Sequence, residues 1–270
     1  MKRVTSFEEV QSLVSEIRGL KMGFVTNFFP DPFKVSLWCK HDCFFHVCYG
    51  DTIFFLRKRS RLVNLYYCAT GEGVLKERLS NFLQEYAQPF LVVDIVGGDS
   101  VLSCKQLFID KGFEVYTTLV RMSRVGEPSI QEWVPGAVSE ATEQDIPSIS
   151  DLYRLYFDPY SEQIPVQEEL IQWVSSKSVL VIRVGEKVVG FLIYELIGVT
   201  LYLRYWFVHP DYRDCKIGAS LFREFFYRGR MTKRQLFWVI TSNENAIKRY
   251  MHYGFSQERM FDHVLIRKGI

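Results

Sequence analysis

Two stretches far apart in this chain can be laid over one another. "CKQLFIDKGFEVYTTLVRMSR" (104–124) and "IKRYMHYGFSQERMFDHVLIRK" (247–268) each read as a helix, then Gly-Phe, then an alternating strand. Gly112 and Gly254 stand where a helix ends on a left-handed residue, a conformation that glycine adopts without a Cβ clash. Phe113 and Phe255 follow as candidate buried anchors. The same order of elements surrounds each unit, so the chain is expected to be a tandem of two similar α/β domains.

The rest of the sequence divides accordingly. Periodicity predicts a helix over 6–18, strands around 34–40, 43–48, 52–57 and 62–68, a helix over 73–86, a strand at 89–96, a helix over 99–111 and a strand from 114. "VGEPSIQE" (125–132) breaks both periods and reads as a linker, giving domains at 1–124 and 133–270. In the second domain strands are expected near 134–139, 178–184, 188–197, 200–208, 235–241 and 260–268. Helices are expected at 145–157, 166–175, from 217, and at 243–253. A length of 270 residues suits two domains, and 48% hydrophobic with 16% aromatic residues suits packed cores.

The N-terminal "MKRVTSFEEVQSLVSEIRGL" carries charges throughout, so it reads as an amphipathic helix and not a signal peptide, and no apolar run nears the ~20 residues of a membrane span. Six cysteines without a secretion signal read as free thiols, and the expected location is cytoplasmic, with no membrane partner. "CKHDCFFHVC" gathers Cys39, His41, Cys43, His46 and Cys48, but its second half alternates as a strand, so no metal site is expected. A net charge of +2 gives no argument for nucleic acid; "RKRSR" (57–61) keeps a nucleic-acid binder open, although a solvated hairpin explains it more simply.

The most chemically suggestive stretch is "VHPDYRDCKIGASLF" (208–222). A strand meets Pro210, then Ile217, Leu221 and Phe225 recur at helical spacing. The first amides of that helix lack intrahelical acceptors, Gly218 removes a side chain beside them, and Arg213 and Lys216 add charge. A solvated strand-to-helix turn accounts for the same letters.

This stretch resembles the acetyl-CoA loop of the GCN5-related N-acetyltransferases (GNAT), whose pattern is Q/R-x-x-G-x-G/A. Arg213 and Gly218 match its outer positions, and Lys216 replaces the first glycine. That replacement is expected to be tolerated if residue 216 keeps a helical or extended backbone. "NENAIKRYMHYGF" is similar to the family's N-x-x-A-x-x-x-Y-x-x-x-G-F helix, with Asn243, Ala246, Tyr250, Gly254 and Phe255 in register. The resemblance covers 133–270 directly and the first domain through the repeat.

The resemblance implies an α/β (α+β) fold of two GNAT-like domains. Each would be a mixed, mostly antiparallel sheet flanked by helices, with a splayed strand pair forming a CoA cleft in the C-terminal one. It implies acyl transfer from acetyl-CoA, or another acyl-CoA, to a small-molecule or peptide amine by direct attack, with no metal. The loop residues Arg213, Asp214, Cys215, Lys216, Ile217, Gly218 and Ala219 would hold the pyrophosphate, with Asn243 and Ala246 contributing from the later helix. An amide at Phe207 or Val208 would meet the oxyanion, and Tyr250 would protonate the thiolate, unless it is a core tyrosine. Arg204 stands where many members place an acid; it could grip a substrate carboxylate or pair with a neighbouring acid. Glu195 is the candidate base, or else a charge at a strand end. A non-catalytic acyl-CoA-binding sensor stays open. In the first domain Phe108 aligns with Tyr250, and Glu72 in "GEGVLKERL" would repel phosphate, so one CoA per chain is expected.

Overall fold

Ser6 accepts a hydrogen bond from the Glu9 amide (3.2 Å) and opens helix α1 (Phe7–Gly19). The computed structural model describes residues 1–59, 62–86, 90–128, 138–213 and 215–269; the strand start expected at 134 and the linker beyond residue 128 lie outside them. The described chain forms two compact units, Met1–Val120 with Arg259–Ile270, and Arg121–Glu258. No helix among the described residues is long and apolar enough to cross a membrane.

The first unit contains, in order, β1 (Lys2–Arg3), α1, β2 (Val25–Thr26), α2 (Pro32–Lys40), β3 (Phe44–Cys48), β4 (Thr52–Lys58), β5 (Val63–Ala69), α3 (Glu72–Glu85), β6 (Phe90–Gly97), α4 (Leu102–Ile109) and the start of β7 (Glu114–Val125). Residues 34–40, expected as a strand, are helical. Asp31 accepts from the Lys34 amide (2.8 Å) and Pro32 presets φ in the first turn, a start signal that outweighs the weak alternation of the segment. The strands follow the order β1-β3-β4-β5-β6, with β2 also on β5. On one face α3 and α4 bury Leu75, Leu79, Phe82 and Phe108 against Phe54, Leu65 and Val93. On the other face α1 and α2 lie against β3, β4 and β5, with Trp38 stacked on Tyr66.

The second unit runs from the end of β7 through β8 (Val138–Glu140), α5 (Ile146–Tyr156), α6 (Gln167–Ser175), β9 (Val179–Val184), β10 (Lys187–Ile197), β11 (Thr200–Val208), α7 (Ile217–Arg228), β12 (Arg234–Ile240) and α8 (Glu244–His252). Strand order is β12-β11-β10-β9-β8, antiparallel except for β11–β12. Helices α5 and α6 bury Ile149, Tyr153, Leu170 and Trp173 against Phe191, Ile193 and Phe207. Helix α7 packs on β9, β10 and β11. Asp145 fastens the start of α5 to β9 through Arg183 (2.8 and 2.5 Å).

The closing units have matching geometry. Gly112 and Gly254 both sit at φ 83°. The Phe113 amide reaches Phe108 O (3.1 Å) and the Phe255 amide reaches Tyr250 O (3.2 Å), the same six-to-one bond that finishes a helix on a left-handed glycine. Phe113 and Phe255 are buried. The last strand, β13 (Ser256–Lys268), pairs with β6 from Phe261↔Gly97 to Lys268↔Phe90, which places residues 259–270 in the first unit. The compact units therefore do not follow the linear division at 125–132.

Candidate active site

Strands β11 and β12 pair in parallel from Thr200↔Arg234 to Tyr202↔Leu236, and the ladder stops there although both strands continue. The pair therefore splays, opening the second half of β11. Antiparallel bonding to β10 alternates along a strand, and the His209 amide donates to Val189 O (2.8 Å). By that alternation Phe207 also turns its amide towards β10, paired opposite Phe191. The amides of Trp206 and Val208 turn the other way, into the splay. Of the two expected oxyanion donors, Val208 has the amide on the open side.

Beyond Val208 the chain makes a short 3-10 turn, Pro210–Tyr212, before α7. Ser6, Asp31 and Asn243 cap α1, α2 and α8 with side-chain acceptors; α7 begins on Lys216 with no side chain closing its first turn. The amides of Ile217, Gly218 and Ala219 thus remain available at the positive end of the helix. Arg213, Cys215 and Lys216 are exposed, and neither cation forms an ion pair among the described residues. Asp214 lies outside them. Lys216 adopts φ 58°, ψ 10°, a left-handed conformation, so the helical or extended backbone expected at this position is not what the loop uses. Lysine here accepts the Cβ strain that a glycine would avoid.

Gly218 has a second reason to be glycine. A Cβ there would lie 3.2 Å from Trp206 Cζ2 and 3.5 Å from Val208 Cγ2, so the first turn of α7 rests directly on β11. Sequence reading passed over Gly190 on β10, where a Cβ would meet Ile217 Cγ2 at 2.7 Å and Phe207 O at 3.3 Å. A lone glycine inside a strand was the available signal of close approach. Trp206 was missed too: its indole Nε1 is buried without a partner among the described residues, and its ring stacks on Phe222 (4.7 Å) and tilts towards Tyr250 (5.8 Å).

Tyr250 projects from α8 into this aromatic group, 4.3 Å from the Phe237 ring centroid. Burial pushes its phenol up to about 12, slightly offset by Arg249, so the proton is held throughout the neutral range. Its hydroxyl makes no hydrogen bond among the described residues. Asn243 Oδ1 accepts from the Ala246 amide (3.2 Å) and so caps α8; Ala246 is half-buried.

Glu195 and Arg204 close on each other. The Arg204 guanidinium donates from Nε (2.7 Å) and Nη2 (2.5 Å) to Glu195 Oε2, while Trp173 Nε1 donates to Oε1 (3.0 Å). Arg204 also lies 4.1 Å over the Tyr202 ring. Each residue supplies the other's partner, which leaves neither free for the separate roles of base and carboxylate grip. Glu162, half-buried between α5 and α6, has a carboxyl that makes no hydrogen bond or ion pair among the described residues; sequence periodicity said nothing of that loop.

The first unit has the same splay, filled differently. Among the described residues, strands β5 and β6 pair in parallel at Val63↔Leu91 and Asn64↔Val92 and no further along. Into the gap comes Asn27: its Nδ2 donates to Leu65 O (3.2 Å) and Asp94 O (3.0 Å), and its Oδ1 accepts from the Tyr67 amide (2.7 Å). Val25 and Thr26 pair with Ala69 and Cys68 alongside. Glu72 stands in the first turn of α3 and accepts from Ser103 Oγ (2.8 Å). Among the described residues no group of three or more His, Cys, Asp or Glu is arranged to hold a metal ion, and all six cysteines are unpaired.

Residues 146–255 match the model of the acetyltransferase (GNAT) family. Solved structures with the same fold include the tandem GNAT protein of the clavulanic acid biosynthesis pathway (8% identity, TM-score 0.59, 99% of this chain and 97% of that one). A GNAT-family acetyltransferase from Colwellia psychrerythraea (11%, 0.58, 99% and 98%) and a GCN5-related N-acetyltransferase from Sphaerobacter thermophilus (14%, 0.57, 97% and 93%) are similar as well. At these identities the likeness is one of fold. No curated protein matches the chain.

Proposed function

Residues 146–255 match the GNAT family model and the chain has the fold of a tandem GNAT protein; we propose that it is a member of that superfamily and that its second unit transfers an acyl group from acetyl-CoA, or another acyl-CoA, to a primary amine. The observation that carries this reading is the open edge of β11. Two amides face the splay, an uncapped helix start lies at one end, and a phenol without a protein partner lies beside it. An extended chain such as pantetheine can lie along such an edge as a strand would. The pyrophosphate would meet the amides of Ile217, Gly218 and Ala219, with Arg213 and Lys216 adding charge, and Asp214, Cys215, Asn243 and Ala246 bordering it.

In the reaction the amine nitrogen bonds to the thioester carbon, the oxygen takes charge against the Val208 amide, and the C–S bond breaks. Tyr250 donates its proton to the departing sulfur. Arg204 and Glu195 act together as a fixed ion pair under the acceptor side of β11 and not as separate groups.

We also propose one CoA per chain, since the first unit fills its own splay with Asn27 and sets a carboxylate at the start of α3. Calorimetric titration with acetyl-CoA should give a stoichiometry near one. Gly218→Asp, which sets a charge and a side chain against Trp206, should weaken binding at least about tenfold, or ~1.4 kcal/mol. Two equivalent sites, or binding unaffected by Gly218→Asp, would defeat the assignment.

A further inference from the structure

We propose that Glu162, on the loop between α5 and α6, takes the proton of the acceptor amine; this rests on the acyl-transfer reading above. The loop backbone around it is fixed. Its amide donates to Asp158 O (3.0 Å), its carbonyl accepts from Ile164 N (2.8 Å), and Asp158 Oδ2 accepts from the Ser161 hydroxyl (2.6 Å). The loop is also fastened to β11, because Tyr205 Oη donates to Gln163 O (2.5 Å) and Ile164 packs into the cluster that contains Phe207. Glu162 therefore lies over the strand that carries the oxyanion amide. Tyr205 precedes Val208 by three residues on the same strand, so the loop is anchored on the strand that would hold the thioester.

A half-buried carboxyl with no partner is costly unless it has work to do. The titratable groups that interact with it are Asp158 on its own loop and Tyr153 of α5, and Tyr153 in turn faces Tyr205 of β11 and Glu169 of α6. The Glu169 carboxylate is occupied by the Val166 amide (2.9 Å), and the Tyr153 hydroxyl is buried without a partner. Burial first, and Asp158 second, push the Glu162 carboxyl up to about 7, with no cation offsetting them among the described residues. It is half ionised at neutral pH, which suits a group that must accept a proton and release it again. Per turnover the N–C bond forms and the C–S bond breaks. The amine proton passes to Glu162 and the Tyr250 proton to sulfur, and both residues re-equilibrate with water.

The test uses the full chain with acetyl-CoA and three amine probes: 2-phenylethylamine, putrescine and a lysine-containing peptide. Thiol release is followed from pH 5.5 to 9, and acetyl-CoA binding is measured by calorimetry. Wild-type kcat/KM should rise with a midpoint near 7. Glu162→Gln should lower kcat by ~10²–10⁴-fold, abolish that inflection and leave acetyl-CoA affinity within about twofold. Glu162→Asp should restore the inflection at a partial rate. A wild-type rate and pH profile in Glu162→Gln overturns Glu162 as the base while leaving the transfer reading intact. Acetyl-CoA binding without thiol release from any probe, or no binding at all, overturns the transfer reading and this proposal with it.

Discussion

Lys216 offers a direct test of whether backbone or charge builds the phosphate cradle. It holds φ 58°, ψ 10° immediately before α7, a conformation that costs a non-glycine residue roughly 1–2 kcal/mol. Lys216→Gly removes that strain but gives the unfolded chain more freedom, a loss of about 0.4–1 kcal/mol. The net should be a gain of roughly 0.5 kcal/mol, or a Tm rise of about 1–2 °C for a chain of this size. The amides of residues 217–219 are unchanged, so CoA binding loses only an exposed charge, worth about 0.2–1 kcal/mol, a fall of at most about fivefold. That fall should shrink at high salt, where exposed charges are screened. Thermal unfolding and calorimetric titration at low and high salt measure both effects, and Lys216→Ala separates them by removing the charge while keeping the strain. A Tm drop in Lys216→Gly, or a salt-independent loss beyond tenfold, would refute the reasoning and give the lysine side chain the leading part.

Other outcomes follow from particular contacts. Tyr250→Phe should lower kcat by ~10–10⁴-fold with CoA affinity little changed. Since the phenol loses its proton only near 12, any alkaline fall in wild-type activity below about pH 11 must persist in this variant's residual activity. Gly190→Ala sets a Cβ 2.7 Å from Ile217, so the start of α7 must lift; a stability loss of about 1–3 kcal/mol and weaker CoA binding are expected by denaturant unfolding and calorimetry. Glu162 ionises near 7 in the folded chain against an ordinary 4.5, so the native state holds its proton more tightly than the unfolded one. Stability from this group is therefore lost as pH rises from about 4.5 through 7. Glu162→Gln should be the more stable protein at pH 8 by about 1–2 kcal/mol, after allowing for solvent access, and no different at pH 4.

What the sequence made legible was whatever depends on local chemistry. Helix ends at Gly112 and Gly254 and the strand-to-helix turn at Pro210 are each written in two or three neighbouring residues. Residues 34–40 misled because Val35 and Leu37 alternate in a segment whose fold is decided by Asp31 and Pro32 upstream. The pairing of β13 with β6 was not legible, since the alternation of a strand does not name its partner. The same limit applies to the site. Glu195 and Arg204 look like two independent functional charges nine residues apart, and the register of β10 against β11 makes them one ion pair. Glu162 carries no local signal at all, because its environment is assembled from its own loop, α5 and β11.

The two splayed strand pairs pose one physical problem and solve it in two ways. A parallel pair that separates leaves a row of strand amides and carbonyls without partners, and each such group costs free energy if buried dry. In the first unit the chain supplies the missing partners: Val25 and Thr26 extend the β5 edge, and one asparagine spans the gap, satisfying Leu65 O, Asp94 O and the Tyr67 amide together. Asparagine suits the position because its amide carries both a donor and an acceptor in a rigid plane, as a peptide does. In the second unit no described segment pairs with the β12-facing edge of β11 beyond Tyr202, and Trp206 has a buried indole N–H without a partner among the described residues. An extended ligand with alternating carbonyls and amides would replace there what Asn27 supplies in the first unit. On this account the open edge is what makes the second unit the binding half. Replacing Asn27 by alanine would then expose three unpaired backbone groups and weaken the first unit, without creating a CoA site at a helix start that still carries Glu72.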